Sequence, residues 1–251
     1  MMRRLGGRFL TVAAWGLAAL VALQSTFVRA ASPVDDVVER VRATCLRTQD
    51  LSAQFHQTAT NRALGQVQEA GGLFLAKRPG MMRWAYEKPE ARLFVTDGKT
   101  LWVYSPSEKQ VVIQDIANAL ASRLPLSFLT GNCNLATDFD IALVENAGTR
   151  GLPTTRILDL KPKQPEAGIA RMLLEVTTTG YSVEKTTLFD AYGNTTAIAL
   201  TQLKLNTGLD EQQFRFTPPA GVAVVTPGTP CERPGVARRT AAGFAARRGA
   251  T

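Results

Sequence analysis

The spacing of hydrophobic and polar positions changes once along the chain. From Val34 to Leu46, apolar side chains recur at helical spacing, and Pro33 stands directly before them. From Asp50 onward the period is two, and turn-forming pairs such as Asp97-Gly98 separate the alternating runs. The pattern predicts one amphipathic helix at 34–46, followed by antiparallel hairpins rather than a parallel sheet with crossover helices.

Alternation within the strands indicates which side chains share a face. In segment 81–87, Arg83 and Glu87 lie on one face, and Met82, Trp84 and Tyr86 lie on the other. The same separation of polar from apolar positions recurs at 109–114, 156–161 and 171–176. We therefore expect a sheet with one apolar face and one solvated face, the apolar one rich in large side chains.

The strand pattern is interrupted between residues 115 and 138. A short helix is expected around Ile116 to Arg123, and a second at 125–131, where Pro125 begins it and Gly131 ends it. Both segments are apolar on one side. We expect them to lie over the apolar face of the sheet, together with the N-terminal helix.

The N-terminus has the features of an export signal. Arg3, Arg4 and Arg8 precede an apolar run, Phe9 to Leu23, and a small-x-small site ends at Ala30. The alternative is a membrane anchor, but the run is shorter than the roughly 20 residues that span a bilayer. We predict a signal peptide at 1–30, one domain at 31–227 and a disordered basic tail at 228–251.

The formal net charge of +8 belongs to the two ends of the chain. Of 29 Lys and Arg residues, four lie in 1–30 and five in 228–251, whereas only one of the 21 acidic residues, Glu232, lies in these segments. The middle of the chain therefore holds 20 residues of each sign. A nucleic-acid-binding domain would carry a basic excess on its folded part, so we expect no nucleic-acid partner.

Few residues of this chain are suited to catalysis or metal binding. His56 is the single histidine, the acidic pair Asp138 and Asp140 is more typical of a strand boundary, and neither a GxSxG motif nor a metal-ligand cluster is present. Cys45, Cys133 and Cys231 allow one disulfide with a leftover thiol, or three reduced thiols, and the sequence does not choose between these. We expect no enzyme activity, no catalytic residue, no metal and no cofactor.

Several short motifs, taken together, resemble one protein family. They are Phe55-x-Gln57, Lys77-Arg78-Pro79-Gly80, Arg83-Trp84, Lys88-Pro89-Glu90, DGKTLW at 97–102, Gln110, LPLSFLTG at 124–131 and FTPPAGV at 216–222. In this order and spacing they are similar to the LolA-type periplasmic carriers of outer-membrane lipoproteins. The resemblance runs from about residue 34 to 225, and the basic tail after Pro227 departs from it.

The resemblance implies a mainly β (α+β) fold: an unclosed antiparallel β-barrel, or half-barrel, with an N-terminal helix and short helices forming a lid over its concave apolar face. It implies a monomeric periplasmic chaperone for acylated outer-membrane lipoproteins. Such carriers take their cargo from an inner-membrane ABC transporter that releases lipoproteins, and deliver it to an outer-membrane receptor where one is present. A periplasmic lipid-binding stress sensor on a similar half-barrel is the alternative function.

A carrier of this kind needs a concave apolar surface that admits acyl chains. The candidate lipid-binding residues are Phe74, Met82, Trp84, Tyr86, Leu126, Phe128 and Leu129. Large or flexible side chains of this type can line an imperfectly packed cavity and shift to admit lipid.

Arg78 is the candidate with the most specific role. Strand alternation places it on the same face as Phe74 and Ala76, where a buried guanidinium needs acceptors, such as the free carbonyls at the ends of the short lid helices. The residues alone also allow an exposed arginine before a proline turn. The resemblance implies that Arg78 is the latch between closed and open forms.

Overall fold

The computed structural model describes residues 32–115, 133–144, 154–165 and 168–226. The predicted signal peptide, the two short helices expected between 116 and 131, and the predicted basic tail lie outside these residues. No helix among the described residues is long and apolar enough to cross a membrane.

The first element is helix α1, Pro33–Arg47, where the periodicity predicts a helix. Its start is fixed by a capping box, in which Ser32 Oγ accepts the Asp35 N–H and the Asp35 carboxylate accepts the Ser32 N–H. Pro at the first helical position suits this start, because its missing N–H would have no partner there. Val37 and Val41 are buried, but Leu46, which the periodicity placed on the same apolar stripe, is 48% exposed, so the prediction for Leu46 is wrong.

The remaining elements among the described residues are two short helices and twelve strands. In chain order the strands are β1 Asp50–Asn61, β2 Gln66–Lys77, β3 Met81–Lys88, β4 Arg92–Asp97, β5 Thr100–Ser105, β6 Gln110–Asp115, β7 Phe139–Val144, β8 Thr155–Pro162, β9 Arg171–Thr177, β10 Val183–Phe189, β11 Thr195–Leu205 and β12 Ala223–Val225. Helix α2, Leu135–Asp138, precedes β7, and a 3-10 helix, Glu211–Phe214, lies between β11 and β12.

All twelve strands form one sheet in the order β12-β6-β5-β4-β3-β2-β1-β11-β10-β9-β8-β7. Strands β1–β6 and β7–β11 are two antiparallel meanders, which are joined because β1 pairs with β11. The short strand β12 adds to β6 in parallel. In the part of the chain that the structure describes, β12 and β7 remain separate edges, so the sheet is not closed. The predicted unclosed, mainly β fold is confirmed.

The Asp97-Gly98 turn illustrates how local chemistry sets a hairpin. Gly98 and Lys99 connect β4 to β5, and Gly98 has a φ of 92°, which favours glycine. A Cβ added at Gly98 would lie 2.9 Å from the Pro79 carbonyl oxygen. The Asp97 carboxylate accepts the N–H groups of Lys99 and Thr100, as the sequence signal for a two-residue turn predicts.

Two clusters of side chains cover the inner face of the sheet. The first, which we call the α1 core, packs Val37 and Val41 of α1 on β7–β10; its sheet residues include Phe139, Leu158, Leu160, Met172, Leu174, Val176 and Val183. The second, the aromatic cluster, lies on β1–β3 and consists of Phe55, Phe74, Ala76, Met82 and Trp84, with Leu51, Tyr86, Phe94, Ile198 and Leu200 against it.

The outer face is not uniformly solvated, and this part of the sequence interpretation is wrong. The chain after β11 packs against the outer face of β2 and β3, where Phe214 is fully buried with Leu75 and Met81. Val111 pairs with Tyr104, which is on the outer face, so Val111 also lies on the outer face. Val111 is fully buried. Alternation separates two faces, but it does not show that a distant segment covers the second one.

Candidate functional site

Arg78 lies at the junction between the sheet and α1. Its backbone N–H donates to the Gln49 carbonyl at 2.8 Å, which holds it directly after β2. Its side chain is half-buried and reaches the last turn of α1: Nε donates to Thr48 O at 2.9 Å and Nη2 donates to Cys45 O at 3.1 Å. The final carbonyls of a helix carry partial negative charge and lack a full set of backbone donors; Cys45 O shares the Thr48 N–H with Thr44 O, so a guanidinium is a favourable additional partner.

The expected type of acceptor for Arg78 is therefore present. Among the described residues these acceptors lie at the end of the N-terminal helix, whereas the lid helices that the sequence suggested as a source lie outside the described residues. Among the described residues, Arg78 has no carboxylate within 4.0 Å, so helix carbonyls and sulfur atoms supply its contacts. This arrangement joins the β2–β3 connection to the last turn of α1 through contacts that can break and re-form.

A disulfide joins the same turn of α1 to the residue that precedes α2 by two positions. Cys45 and Cys133 are bonded, 88 positions apart in sequence. The sequence allowed either one disulfide or three reduced thiols, and the structure has one disulfide. Cys231 lies outside the described residues. Arg78 Nη2 lies 2.7 Å from Cys133 Sγ and 3.5 Å from Cys45 Sγ. The disulfide therefore ties the end of α1 to the segment before α2, and the guanidinium ties it to the β2–β3 connection.

Beside these contacts, a cavity separates α1 from the sheet. Its free volume is only about 80 Å³, and the groove around it opens to solvent. Its apolar walls come from α1, β1, β2, β10 and β11, and they are formed by Val41, Leu51, Ala76, Val183, Leu200, Leu203 and Leu205. Arg78, Lys77 and Asp50 stand at its polar margin. A concave site with mostly apolar walls and few polar groups is typical of a small-molecule or lipid site.

Asp50 fixes one margin of the cavity. Its carboxylate is buried and accepts the Thr207 N–H at 2.7 Å and the Gly208 N–H at 2.9 Å, as well as the Thr207 hydroxyl. Burial alone would raise the pKa of Asp50, but the donated N–H groups outweigh it and hold the pKa below its ordinary value. The ionised carboxylate thus fixes the turn from which the chain crosses to the outer face.

The four predicted lipid-binding residues within the described chain lie together. Phe74, Met82 and Trp84 belong to the aromatic cluster, and Tyr86 packs against it. The Trp84 ring is 4.6 Å from Phe74 and 5.1 Å from Phe55, between ring centroids. Tyr86 donates its hydroxyl to Gln57 Oε1. Leu126, Phe128 and Leu129 lie outside the described residues, so their predicted role stays a prediction.

Part of this apolar surface was not predicted from the sequence. Leu200, Leu203 and Ile198 of β11 belong to the cavity or the aromatic cluster, although they lie far from Phe74 in the chain. Ile198 and Leu200 are two positions apart, which was a usable signal for one face of a strand, but Leu203 is out of phase with them because the pairing with β1 shifts register there. The pairing of β11 with β1, which brings them to this site, is a long-range contact that no local pattern indicates.

The Trp84 indole has an unusual environment. Trp84 is 4% exposed, and its Nε1 has no hydrogen-bond partner among the residues that the structure describes. A buried donor without an acceptor costs roughly 1–3 kcal/mol. This cost, on the face where lipid binding is expected, is consistent with a surface that is not optimised as a closed core.

Other candidate residues lie away from this site. His56 is exposed on β1, as expected of a solvated strand histidine. Pairing places Trp102 opposite Val95 on the outer face, so Leu101 and Val103 point to the inner face. Within the described ranges, no group of three His, Cys, Asp or Glu side chains is placed to hold a metal ion.

Comparison with known proteins agrees with this architecture. Residues 47–217 match the family model described as outer membrane lipoprotein carrier protein LolA. The outer-membrane lipoprotein carrier protein of Methylobacillus flagellatus is 32% identical over 218 residues, covering 87% of this chain and 98% of the relative. That of Chromobacterium violaceum is 34% identical over 192 residues, covering 75% of this chain and 87% of the relative.

A solved structure supports the fold alone. An uncharacterized conserved protein from Thermus thermophilus superposes with a TM-score of 0.50 at 19% identity, covering 76% of this chain and 97% of that one. The family match extends over more than half of the chain, and the relatives match it over most of their length. The chain therefore belongs to the LolA family of outer membrane lipoprotein carrier proteins.

Proposed function

We propose that this protein carries outer-membrane lipoproteins through the periplasm by holding their acyl chains between α1 and the inner face of the sheet. It accepts them from an inner-membrane ABC transporter and delivers them to an outer-membrane acceptor. The observation that carries the proposal is the cavity beside Arg78, whose walls are formed by aliphatic side chains of α1 and four strands.

The energetics of the cargo require such a surface. Removing a CH₂ group from water is worth about 0.8 kcal/mol, so an acyl chain of about 15 such groups gains about 12 kcal/mol on burial. An acylated protein therefore does not cross water unaided. Beyond the cavity, the aromatic cluster adds further apolar surface, formed by Phe74, Met82, Trp84 and Tyr86. We propose that this surface contacts additional acyl chains. We include Leu126, Phe128 and Leu129 among the proposed lipid contacts.

Arg78 supports reversible opening of this site. For an acyl chain to enter between α1 and the sheet, the last turn of α1 has to move away from β2. Hydrogen bonds to a charged group contribute roughly 1.5–3 kcal/mol each, so the contacts of Arg78 with Thr48 O and Cys45 O can be exchanged for a fraction of the burial energy of one chain. We propose that Arg78 is the latch that favours the closed, empty form.

The test measures loading and transfer separately. Membranes that contain the lipoprotein-releasing transporter and a radiolabelled lipoprotein are mixed with the carrier, and soluble cargo is then offered to outer-membrane vesicles. Arg78→Leu is compared with wild type and with Arg83→Leu, because Arg83 lies on the outer face and donates to Gln213 O. We expect Arg78→Leu to load cargo and to transfer it about tenfold less, because the closed empty form is less stable.

Two outcomes would count against the proposal. If wild-type protein releases no lipoprotein from the membranes and binds no acyl chain, the carrier function itself is wrong. If Arg78→Leu and Arg83→Leu both load and transfer as wild type does, the carrier function survives but Arg78 is not its latch.

A further inference from the structure

The disulfide of this chain lies against a cation. The Cys45–Cys133 bond and the Arg78 guanidinium share one site, in which Nη2 is 2.7 Å from Cys133 Sγ and 3.5 Å from Cys45 Sγ. A neighbouring arginine stabilises a cysteine thiolate, and a disulfide whose reduced form is stabilised is more easily reduced. Arg78 is therefore placed to favour the reduced form of this pair, and the nearer sulfur, that of Cys133, receives most of this effect.

The two sulfurs also differ in access. Cys133 is 6% exposed, whereas Cys45 is half-buried and forms part of the cavity wall, which opens to solvent. Cys45 is the member of the pair in the cavity wall, so we infer that a reductant entering the cavity attacks Cys45 Sγ. Attack there makes Cys133 the leaving sulfur, which is the one beside Arg78. Thiol–disulfide exchange is faster when the leaving thiolate is stabilised.

We propose that Cys45–Cys133 is a redox-labile bond, activated by Arg78, whose state regulates the cavity. The thiolate of a dithiol reductant attacks Cys45 Sγ, the S–S bond breaks, and Cys133 leaves with the electron pair as a thiolate beside Arg78. The second thiol of the reductant then attacks the mixed disulfide and passes its proton to the Cys45 thiolate that it displaces. Two electrons have moved to the protein, and the reductant is left as its own disulfide.

The effect on the cavity, which rests on the proposed function, follows from what the bond joins. While it is intact, the last turn of α1 is covalently tied to the residue that leads into α2 and β7. After reduction, the reversible contacts of the guanidinium with Cys45 O and Thr48 O still hold this turn, together with the packing of Val37 and Val41. Reduction should therefore let α1 move more freely and speed the entry of an acyl chain.

The chemical part is tested by the kinetics of reduction. Full-length exported protein is treated with excess dithiothreitol at pH 7, quenched with iodoacetamide at intervals and weighed by mass spectrometry. Arg78→Met should slow reduction about tenfold, because one charge-assisted contact to the leaving sulfur is lost. Arg78→Lys, which keeps the charge, should fall between it and wild type, and Arg83→Met should match wild type.

The sign of the result separates this role from a purely structural one. If Arg78 only held α1 in place, its loss would expose the disulfide, and Arg78→Met would be reduced as fast as wild type or faster; either result overturns the proposal. Should Arg78→Met not fold, the comparison of Arg78→Lys with wild type decides in the same way, because equal or faster reduction of Arg78→Lys contradicts the activation.

The regulatory part is tested with a fluorescent palmitate analogue and stopped-flow mixing. Protein with the disulfide intact and protein that has been reduced and alkylated are compared in a Cys231→Ser background, which prevents exchange with the third cysteine. We expect entry several-fold faster in the reduced form. Equal entry rates would refute the regulation but not the carrier function, whereas no entry into either form would refute the carrier function and leave the redox chemistry standing.

Discussion

The inner face of the sheet has two halves that are built from different side chains. In the α1 core, Leu158, Leu160 and Val176 are completely buried aliphatic residues, and a helix with a capping box closes over them. Both halves have a margin of partly buried side chains. The aromatic cluster differs in its composition, because it is built from large aromatic side chains and includes Trp84, whose buried indole N–H has no partner among the described residues.

The cavity lies at the border between these halves. Val41 and Val183 in its walls belong to the α1 core, whereas Leu51, Ala76 and Leu200 belong to the aromatic cluster or pack against it. A carrier has to keep its shape when empty and still adapt to acyl chains when loaded. The comparison suggests that the α1 core provides the shape and that the aromatic cluster provides the adaptable surface, with Arg78 and the disulfide at the boundary.

The largest expected effect is on the α1 core. Leu158→Ala should lower the free energy of unfolding by about 3 kcal/mol, because the surrounding strands cannot collapse into the space that it leaves. The measurement is urea denaturation followed by circular dichroism. Leu143→Ala, on the partly buried margin of the same core, serves as the control and should cost clearly less. A loss below about 1 kcal/mol for Leu158→Ala would contradict the rigid description of this half.

Asp50 provides the next largest effect, at the fixed margin of the cavity. Asp50→Asn should destabilise the protein by about 2 kcal/mol at pH 7, because the amide cannot accept all the N–H groups that the carboxylate accepts. Since the pKa of Asp50 is lowered by folding, its contribution is complete above the unfolded pKa of about 3.9 and is lost as the pH falls through the folded pKa.

Unfolding in urea between pH 2 and pH 7 checks this sign. The stability difference between wild type and Asp50→Asn should be constant near neutral pH and shrink below about pH 4. A difference that grows as the pH falls would mean that Asp50 is not held in its ionised form by the 206–209 turn.

A smaller effect is expected from the hydroxyl of Tyr86. Tyr86→Phe removes the hydrogen bond to Gln57 at the partly exposed edge of the aromatic cluster, and it should cost about 1 kcal/mol. The same denaturation experiment measures it. A loss as large as that of Leu158→Ala would show that the two halves of the inner face are equally rigid, and the comparison would fail.

The smallest change in stability is expected at Trp84. Trp84→Phe loses buried surface but also removes an N–H that has no partner among the described residues, so the two effects offset each other to within about 1 kcal/mol. Binding of a fluorescent palmitate analogue should nevertheless weaken, because the indole forms part of the proposed lipid surface. Unchanged binding with a large loss of stability would identify Trp84 as an ordinary core residue.

Local patterns predicted the elements better than their long-range contacts. Helix α1 and the Asp97-Gly98 hairpin were predictable because caps and turns are set by neighbours in the chain. The outward position of Arg171 and Glu175, opposite Met172 and Leu174, followed from alternation alone. These features depend on contacts a few residues apart, which a single sequence records directly.

The cover of the outer face was not predictable in this way. Phe214 lies in a short 3-10 helix, and Lys77 donates to Leu209 O across 132 positions of the chain. The pairing of Cys45 with Cys133 and the acceptors of Arg78 are likewise tertiary. Strand alternation placed Arg78 on the same face as Phe74, but it did not show which helix end would accept hydrogen bonds from the guanidinium. The resemblance to a family implied the latch role, which the pattern left open and which stays a proposal.

Photo-crosslinking tests the central claim most directly. A lipopeptide with two acyl chains, one of which carries a terminal diazirine, is bound to the protein, irradiated and mapped by mass spectrometry of peptides. We expect crosslinks to the walls of the cavity and to the aromatic cluster, such as Val41, Phe74 and Leu200, and we expect them to be lost when unlabelled lipopeptide competes. Crosslinks confined to the outer face, or no saturable crosslink at all, would contradict it.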